Sequence, residues 1–276
     1  MALTVARAEA AALGEKKSPK TRRDGAPRWI IYLARLVLVV AVIATWQLCA
    51  SHGVFDKTTY GEPSGIWKAI RDYLPSHQAM TSLKATGQAV LYTFVIGSLL
   101  GTAFGLILGL SRTLNDIVGP FLAPINSIPR IALAPLFIAW FGLTIKAKIV
   151  LGVSIVFFIL AENARSSVRS VDSDLMTMAR VVGLKRAALI WKVVLPSAVP
   201  TIFAGLRLSF TYSLLGVIAS EMIAATNGIG QDIVLFSSGY QINTVFAILV
   251  ELMAIAVIVN WLFTLAERRL LVWQQT

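Results

Sequence analysis

Four ionisable residues stand inside long apolar runs of this 276-residue chain: Arg130, Arg207, Glu221 and Glu251. A charge surrounded by hydrocarbon is costly, by roughly 2.5–3.5 kcal/mol at the centre of a span on insertion scales, so each must face a bundle interior or an aqueous cavity. Two chemistries fit them. They could line a translocation path in which Arg130 and Arg207 favour anions, or they could be structural pairs of Arg with Glu between helices. Ser209, Tyr212, Ser213 and Ser220 form a polar face that suits either reading.

Enzyme chemistry finds no support. His52 and His77 are isolated in or near a polar connection, and Cys49 is the single cysteine, so neither an internal disulfide nor a cysteine metal site can form. No phosphate-binding Gly-x-x-x-x-Gly-Lys-Ser/Thr loop occurs, so any ATP hydrolysis must belong to another chain. No catalytic residue, metal or cofactor is expected.

The elements that must position those charges are membrane spans. With 57% hydrophobic and 14% charged residues and a mean hydropathy of +0.74, the chain has too little polar surface for a water-soluble globule. The net charge of +11 is divided among polar segments between apolar runs, which argues for membrane topology and against nucleic acid.

Residues 1–28 are basic and lack an apolar period, so they are expected to be a disordered cytosolic tail, with residues 29–276 forming one transmembrane domain. The first span starts at Trp29. A mixed connection follows over 51–83, then a second span of 27 uncharged residues at 85–111, where Gly97, Gly101, Gly105 and Gly109 share one helical face. That face suits close helix packing, with a pore lining as the alternative. The third span, 117–145, holds Pro120, Pro124, Pro129 and Pro135 and should be kinked inside the bundle. A short fourth span covers 149–161, a fifth 196–225, and the last 233–266, giving six in an all-α membrane protein.

With six spans both termini share a side, which then carries sixteen Lys and Arg against six on the other, Lys146 and Lys148 being counted among the six. By the excess of positive charge both termini and the loop 165–195 are cytoplasmic.

Within that loop Asp172, Ser173 and Asp174 read as cap and first-turn residues, and Leu175, Met178, Ala179 and Val182 repeat at helical spacing. Gly183 supplies a stop. A second amphipathic piece at 185–194 leads to Leu195 and Pro196. The short helix either lies on anionic lipid or docks its Met-containing ridge into a partner protein.

This segment resembles the cytoplasmic loop of permease subunits of binding-protein-dependent ABC importers, in which Glu-Ala-Ala is followed, after three intervening residues, by Gly and then by Ile-x-Leu-Pro. Here Ala179 and Gly183 hold their places and Val193, Val194, Leu195 and Pro196 form the ending, while Thr177 and Met178 depart from the triplet. IPRIALAPLFIAWFG at 128–142, VVLPSAVPTIFAGLRLS at 193–209 and the closing FAILVELMAIAVIVNWLFTLAERRLLVW look like the nitrate, sulfonate and taurine branch. The resemblance implies a type I importer-permease fold in the bacterial inner membrane and a homodimer of permeases with two cytosolic ATPase subunits. It also implies a periplasmic solute-binding protein and a coupling helix built from Asp174, Leu175, Met178, Ala179, Val182 and Gly183, with Leu195 and Pro196 behind it. A channel, a secondary transporter or a membrane enzyme are the competing classes. The first two would usually show inverted repeats, and the third clustered polar groups at a membrane face.

Overall fold

The computed structural model describes residues 27–54 and 56–270, and among these every regular element is a helix. The expected basic tail therefore lies outside the described residues except for its last two positions. Helix α1 (Arg28–Ser51) is 24 residues, about 36 Å at 1.5 Å per residue, which is enough to cross a hydrocarbon core of about 30 Å. Of the described residues, those up to Leu48 form one unit and those from Cys49 another.

The second unit begins with two short helices, α2 (Lys57–Tyr60) and α3 (Pro63–Tyr73). Pro63 suits the first turn of α3, where no amide donor is needed. Ile66 and Tyr73 are the buried side of this amphipathic helix. Helix α4 (His77–Leu110) starts eight residues before the expected span because Ser76 caps it, accepting from the Ala79 amide at 3.1 Å.

Helix α5 (Arg112–Asn126) and a bent partner replace the single kinked third span. Pro129 removes an amide and disfavours helical geometry at Ile128, so the chain breaks, makes a 3-10 turn (Arg130–Leu133) and resumes as α6 (Ala134–Phe141), bent by 82°.

Helix α7 (Ile145–Arg169) packs between α4 and α10 (Leu195–Ile223). Before α10 come α8 (Ser173–Val181), α9 (Arg186–Leu189) and a π-turn (Ile190–Val194), and after it α11 (Ile229–Ser238) and α12 (Ile242–Leu270). The last apolar run is thus two helices. Tyr240 takes φ +55°, and the Gln241 amide bonds back to the Phe236 carbonyl at 2.8 Å, closing α11 and re-aiming the chain.

The glycine face packs. A Cβ on Gly97 would stand 2.7 Å from Val156, on Gly101 2.5 Å from the Phe157 carbonyl, and on Gly105 2.2 Å from the Ala161 carbonyl. These distances leave no room for a methyl, so α4 and α7 touch backbone to backbone along this seam. A Cβ on Gly87, one helix face away, would meet nothing within 4 Å. Gly105→Ala should therefore force the helices apart and lower the melting temperature of the detergent-purified protein by several degrees. Gly87→Ala should leave it equal or higher, because alanine is the better helix former by about 1 kcal/mol. Equal melting of the two variants would contradict the seam.

The stretches 29–51, 77–110, 187–223 and 242–269 are each long and apolar enough to cross a membrane, and the bent pair 112–126 with 130–141 makes a fifth if taken as one span. α7 has the length, but its uncharged stretch, 149–161, is short and both its ends are charged.

Candidate functional site

Helix α8 is set apart from the bundle by its own caps. Asp172 accepts from the Asp174 amide at 2.8 Å, and its carbonyl takes the Met176 amide at 3.1 Å. Asp174 adds a negative charge to the first turn, where the helix dipole favours it. At the other end the Leu184 amide reaches back to the Ala179 carbonyl at 3.1 Å, around Gly183 at φ +79°. A Cβ at Gly183 would meet nothing, so conformation and not space calls for glycine there.

The apolar stripe divides. Ala179 is buried, whereas Leu175, Met178 and Val182 are 48%, 65% and 78% exposed. Three apolar side chains, two on a helix of nine residues and Val182 directly after its last residue, thus form an uncovered ridge. Leu195 and Pro196 open α10 straight after the π-turn, with the Leu195 amide bonded to the Ile190 carbonyl. Pro196 lacks the amide that a regular helix would present to the carbonyl four residues back, and a widened turn just before it absorbs the loss.

The four charges within the spans do not form one cluster. Arg130 sits at the α5–α6 break, its guanidinium 3.9 Å from the centre of the Phe158 ring and donating to the carbonyls of Ser154 and, at 3.0 Å, Ile125. Among the described residues it makes no salt bridge. Arg207 pairs with Glu267 across α10 and α12, and not with Glu221. Glu251 is half-buried in α12, and its Oε2 has no hydrogen-bond partner among the described residues.

Glu221 belongs to a buried knot. Its carboxylate accepts from Lys148 Nζ at 2.9 Å, from the Thr86 hydroxyl at 2.9 Å and from the Gly230 amide at 2.9 Å. Lys148 also donates to the Asn227 carbonyl at 2.7 Å, and the Ile229 amide donates to Thr86 at 2.8 Å. Gly228 passes so close, at φ +121°, that a Cβ would lie 2.2 Å from Glu221. The knot ties the turn 225–230 to α4, α7 and α10. Lys148, expected in a polar loop, is 5% exposed instead.

A helical signal for this existed: Lys148 lies three and four residues before Leu151 and Gly152, and eight before Val156, all on the buried side of α7. Asp232 was not anticipated at all. It is buried in α11 and accepts from the Tyr73 hydroxyl at 2.6 Å and the Gln78 amide at 2.9 Å, fastening the connection 51–76 to the bundle. Burial, and then the Asp232 carboxylate beside it, push the Tyr73 phenol far above its ordinary value.

The pairing of Arg207 gives a direct test. A folding or assembly defect in Arg207→Gln should be relieved by Glu267→Gln and left unrelieved by Glu221→Gln. Size-exclusion profiles of the two double variants measure this, and rescue by Glu221→Gln would contradict the observed pairing.

Residues 97–272 match the family model of the binding-protein-dependent transport system inner membrane component. The chain belongs to this family. It is the permease subunit of a binding-protein-dependent ABC importer, a multi-pass inner-membrane protein. The permease is 30% identical over 261 residues to a protein assigned to aliphatic sulfonates transport, the permease SsuC of Bacillus subtilis (strain 168), covering 95% of this chain and 92% of that one. It is 31% identical over 238 residues to the taurine transport system permease protein TauC of Escherichia coli (strain K12), covering 80% and 83%.

The fold is shared with two solved structures of a bacterial alginate ABC transporter, each 16% identical to this chain. One covers 87% of this chain and 96% of its own with a TM-score of 0.61. The other, in complex with an alginate pentasaccharide-bound periplasmic protein, covers 88% and 95% with a TM-score of 0.53. The permease therefore has the type I importer-permease fold.

Proposed function

We propose that two copies of the permease form the path for a small anionic solute, a nitrate, sulfonate or taurine-like compound, which a periplasmic solute-binding protein delivers. Two cytosolic ATPase subunits drive the movement through α8, and the permease itself hydrolyses nothing. The uncovered ridge of Leu175, Met178 and Val182 carries this reading: a capped helix presents three apolar side chains that the chain's own bundle leaves exposed. A bilayer surface would be the other cover, but a nine-residue helix offers little area to hold onto lipid, whereas three anchors on one face suit a protein groove.

The sidedness follows from charge. With Lys148 drawn into the core, the count becomes sixteen Lys and Arg on the side of the termini and five on the other, an excess that supports a cytosolic side for both termini and the loop 165–195.

The names of the relatives support an anionic solute, and Arg130 supplies a cation for it. Glu267 pairs with Arg207 and Lys148 with Glu221, while among the described residues Arg130 has no carboxylate partner. In membrane vesicles carrying the assembled importer, Arg130→Gln is expected to reduce uptake of a radiolabelled alkanesulfonate by about tenfold or more, the worth of one charge-assisted hydrogen bond. Arg130→Lys should fall between. Unchanged uptake by Arg130→Gln would remove Arg130 from the path, and a collapse of its melting temperature would make it a clamp for the α5–α6 break.

A further inference from the structure

The guanidinium of Arg130 rests on an aromatic face. Its central carbon stands 3.9 Å from the centre of the Phe158 ring, well within the roughly 6 Å over which a cation and a ring attract. Phe158 ends a row of rings: Phe157 lies 5.1 Å from it, and Phe104 of α4 lies 5.3 Å from Phe157, centre to centre. The row crosses the α4–α7 seam, so the ring under Arg130 is held by packing from behind.

Two neutral acceptors fix the same group. Arg130 donates to the Ser154 carbonyl of α7 and, at 3.0 Å, to the Ile125 carbonyl of α5. Ile125 lies four residues before Pro129, which has no amide to offer that carbonyl, so the break itself frees the acceptor of its helical partner. A guanidinium has five N–H donors, and these two bonds leave three. Among the described residues no other hydrogen bond or salt bridge claims them. The stretch 125–129 is exposed except for what its own chain covers, and irregular backbone at membrane depth is tolerated only against protein or a water-filled cavity. The break that holds Arg130 therefore faces protein or water and not lipid.

We propose that Phe158 is a positioning residue for transport: its ring, with the two carbonyls, holds Arg130 so that the three remaining N–H groups receive the oxyanion end of the solute. The inference rests on the reading that Arg130 serves the path. A ring face attracts a cation without a formal charge of its own, and carbonyls accept N–H bonds on the same terms, so the guanidinium is fixed while its fork stays available to two oxygens of a sulfonate or nitrate. A carboxylate, as Glu267 gives Arg207, would hold a guanidinium equally firmly but compete with the solute for it.

The test places 3,4,5-trifluorophenylalanine at position 158 of the permease in the assembled importer. Fluorine withdraws negative charge from the ring face and changes the ring's shape little. Uptake into membrane vesicles is followed with saturating radiolabelled ethanesulfonate, taurine or nitrate, whichever the wild type imports. Fluorination should lower the rate about fivefold or more. Phe158→Leu should lower it at least as far, and Phe158→Tyr, which keeps the ring, should stay within about twofold of the wild type. In the Arg130→Gln background the same fluorination should change nothing, because the cation is gone. Wild-type uptake by the fluorinated protein, with Arg130→Gln impaired, overturns the role of Phe158 alone. A loss on fluorination of equal size in both backgrounds overturns it too, since the ring then acts by packing. Wild-type uptake by Arg130→Gln, or a wild type that imports none of the three anions, overturns the path reading and this inference with it. The fluorinated ring nearly keeps its volume, so these outcomes are read even where Phe158→Leu does not assemble.

Discussion

Lys148→Met is expected to destabilise the permease by about 3–5 kcal/mol, because it leaves the Glu221 carboxylate charged and uncompensated where its side chain has no exposure. The measurement is the melting temperature of the purified protein, together with the yield of monodisperse material. The partners of Glu221 make a sharper version possible. Two of its donors, the Thr86 hydroxyl and the Gly230 amide, remain in place whatever occupies position 148, and both require an acceptor at 221. The charge swap Lys148→Glu with Glu221→Lys should therefore fail to restore stability, although it restores opposite charges. An isolated ion pair would tolerate the swap. Recovery of wild-type melting in the swapped protein would show that the surrounding donors contribute little.

Met178→Asp is expected to abolish co-purification of the ATPase and all uptake while membrane insertion and permease dimerisation persist. Met178 is exposed and central to the ridge, so a charge there costs the bundle little, but it would have to be desolvated in a partner's apolar groove. Each ridge side chain that becomes fully buried contributes roughly 1.5–3 kcal/mol. Gly183 gives a second probe of the same helix with a different cause. At φ +79° with open space around its Cα, it should accept Asn, which tolerates the left-handed region, and reject the β-branched Val. Gly183→Asn should keep uptake and Gly183→Val should lose it. Stoichiometric ATPase in a pull-down with Met178→Asp, at wild-type transport, would end the coupling assignment.

The glycine seam and α8 were legible because each is a local pattern. Four glycines four residues apart specify a face, and a cap, a helical stripe and a terminal glycine specify a short helix, before any partner is known. The α5–α6 break was half legible: the prolines announced a kink, but its 82° depends on Pro129 together with the carbonyls that Arg130 holds at Ser154 and Ile125. The boundary between α11 and α12 was missed because Tyr240 adopts the left-handed conformation that glycine usually supplies, while Gly239 beside it does not.

The sequence by itself determined that lipid is the solvent of this chain, where its apolar runs lie and which residues form the α8 ridge, since hydropathy and periodicity act over a few turns. It also identified the four charges that the apolar runs must shelter. Only the tertiary structure decided their partners. Arg207 could meet Glu221, Glu251 or Glu267 as far as charge balance is concerned, and the crossing of α10 with α12 selects Glu267. Lys148 looked like a loop charge until α4, α10 and the turn 225–230 closed over it. The physical reason is that an ion pair needs its atoms within about 4 Å, a condition on three-dimensional packing that no one-dimensional pattern of charges expresses.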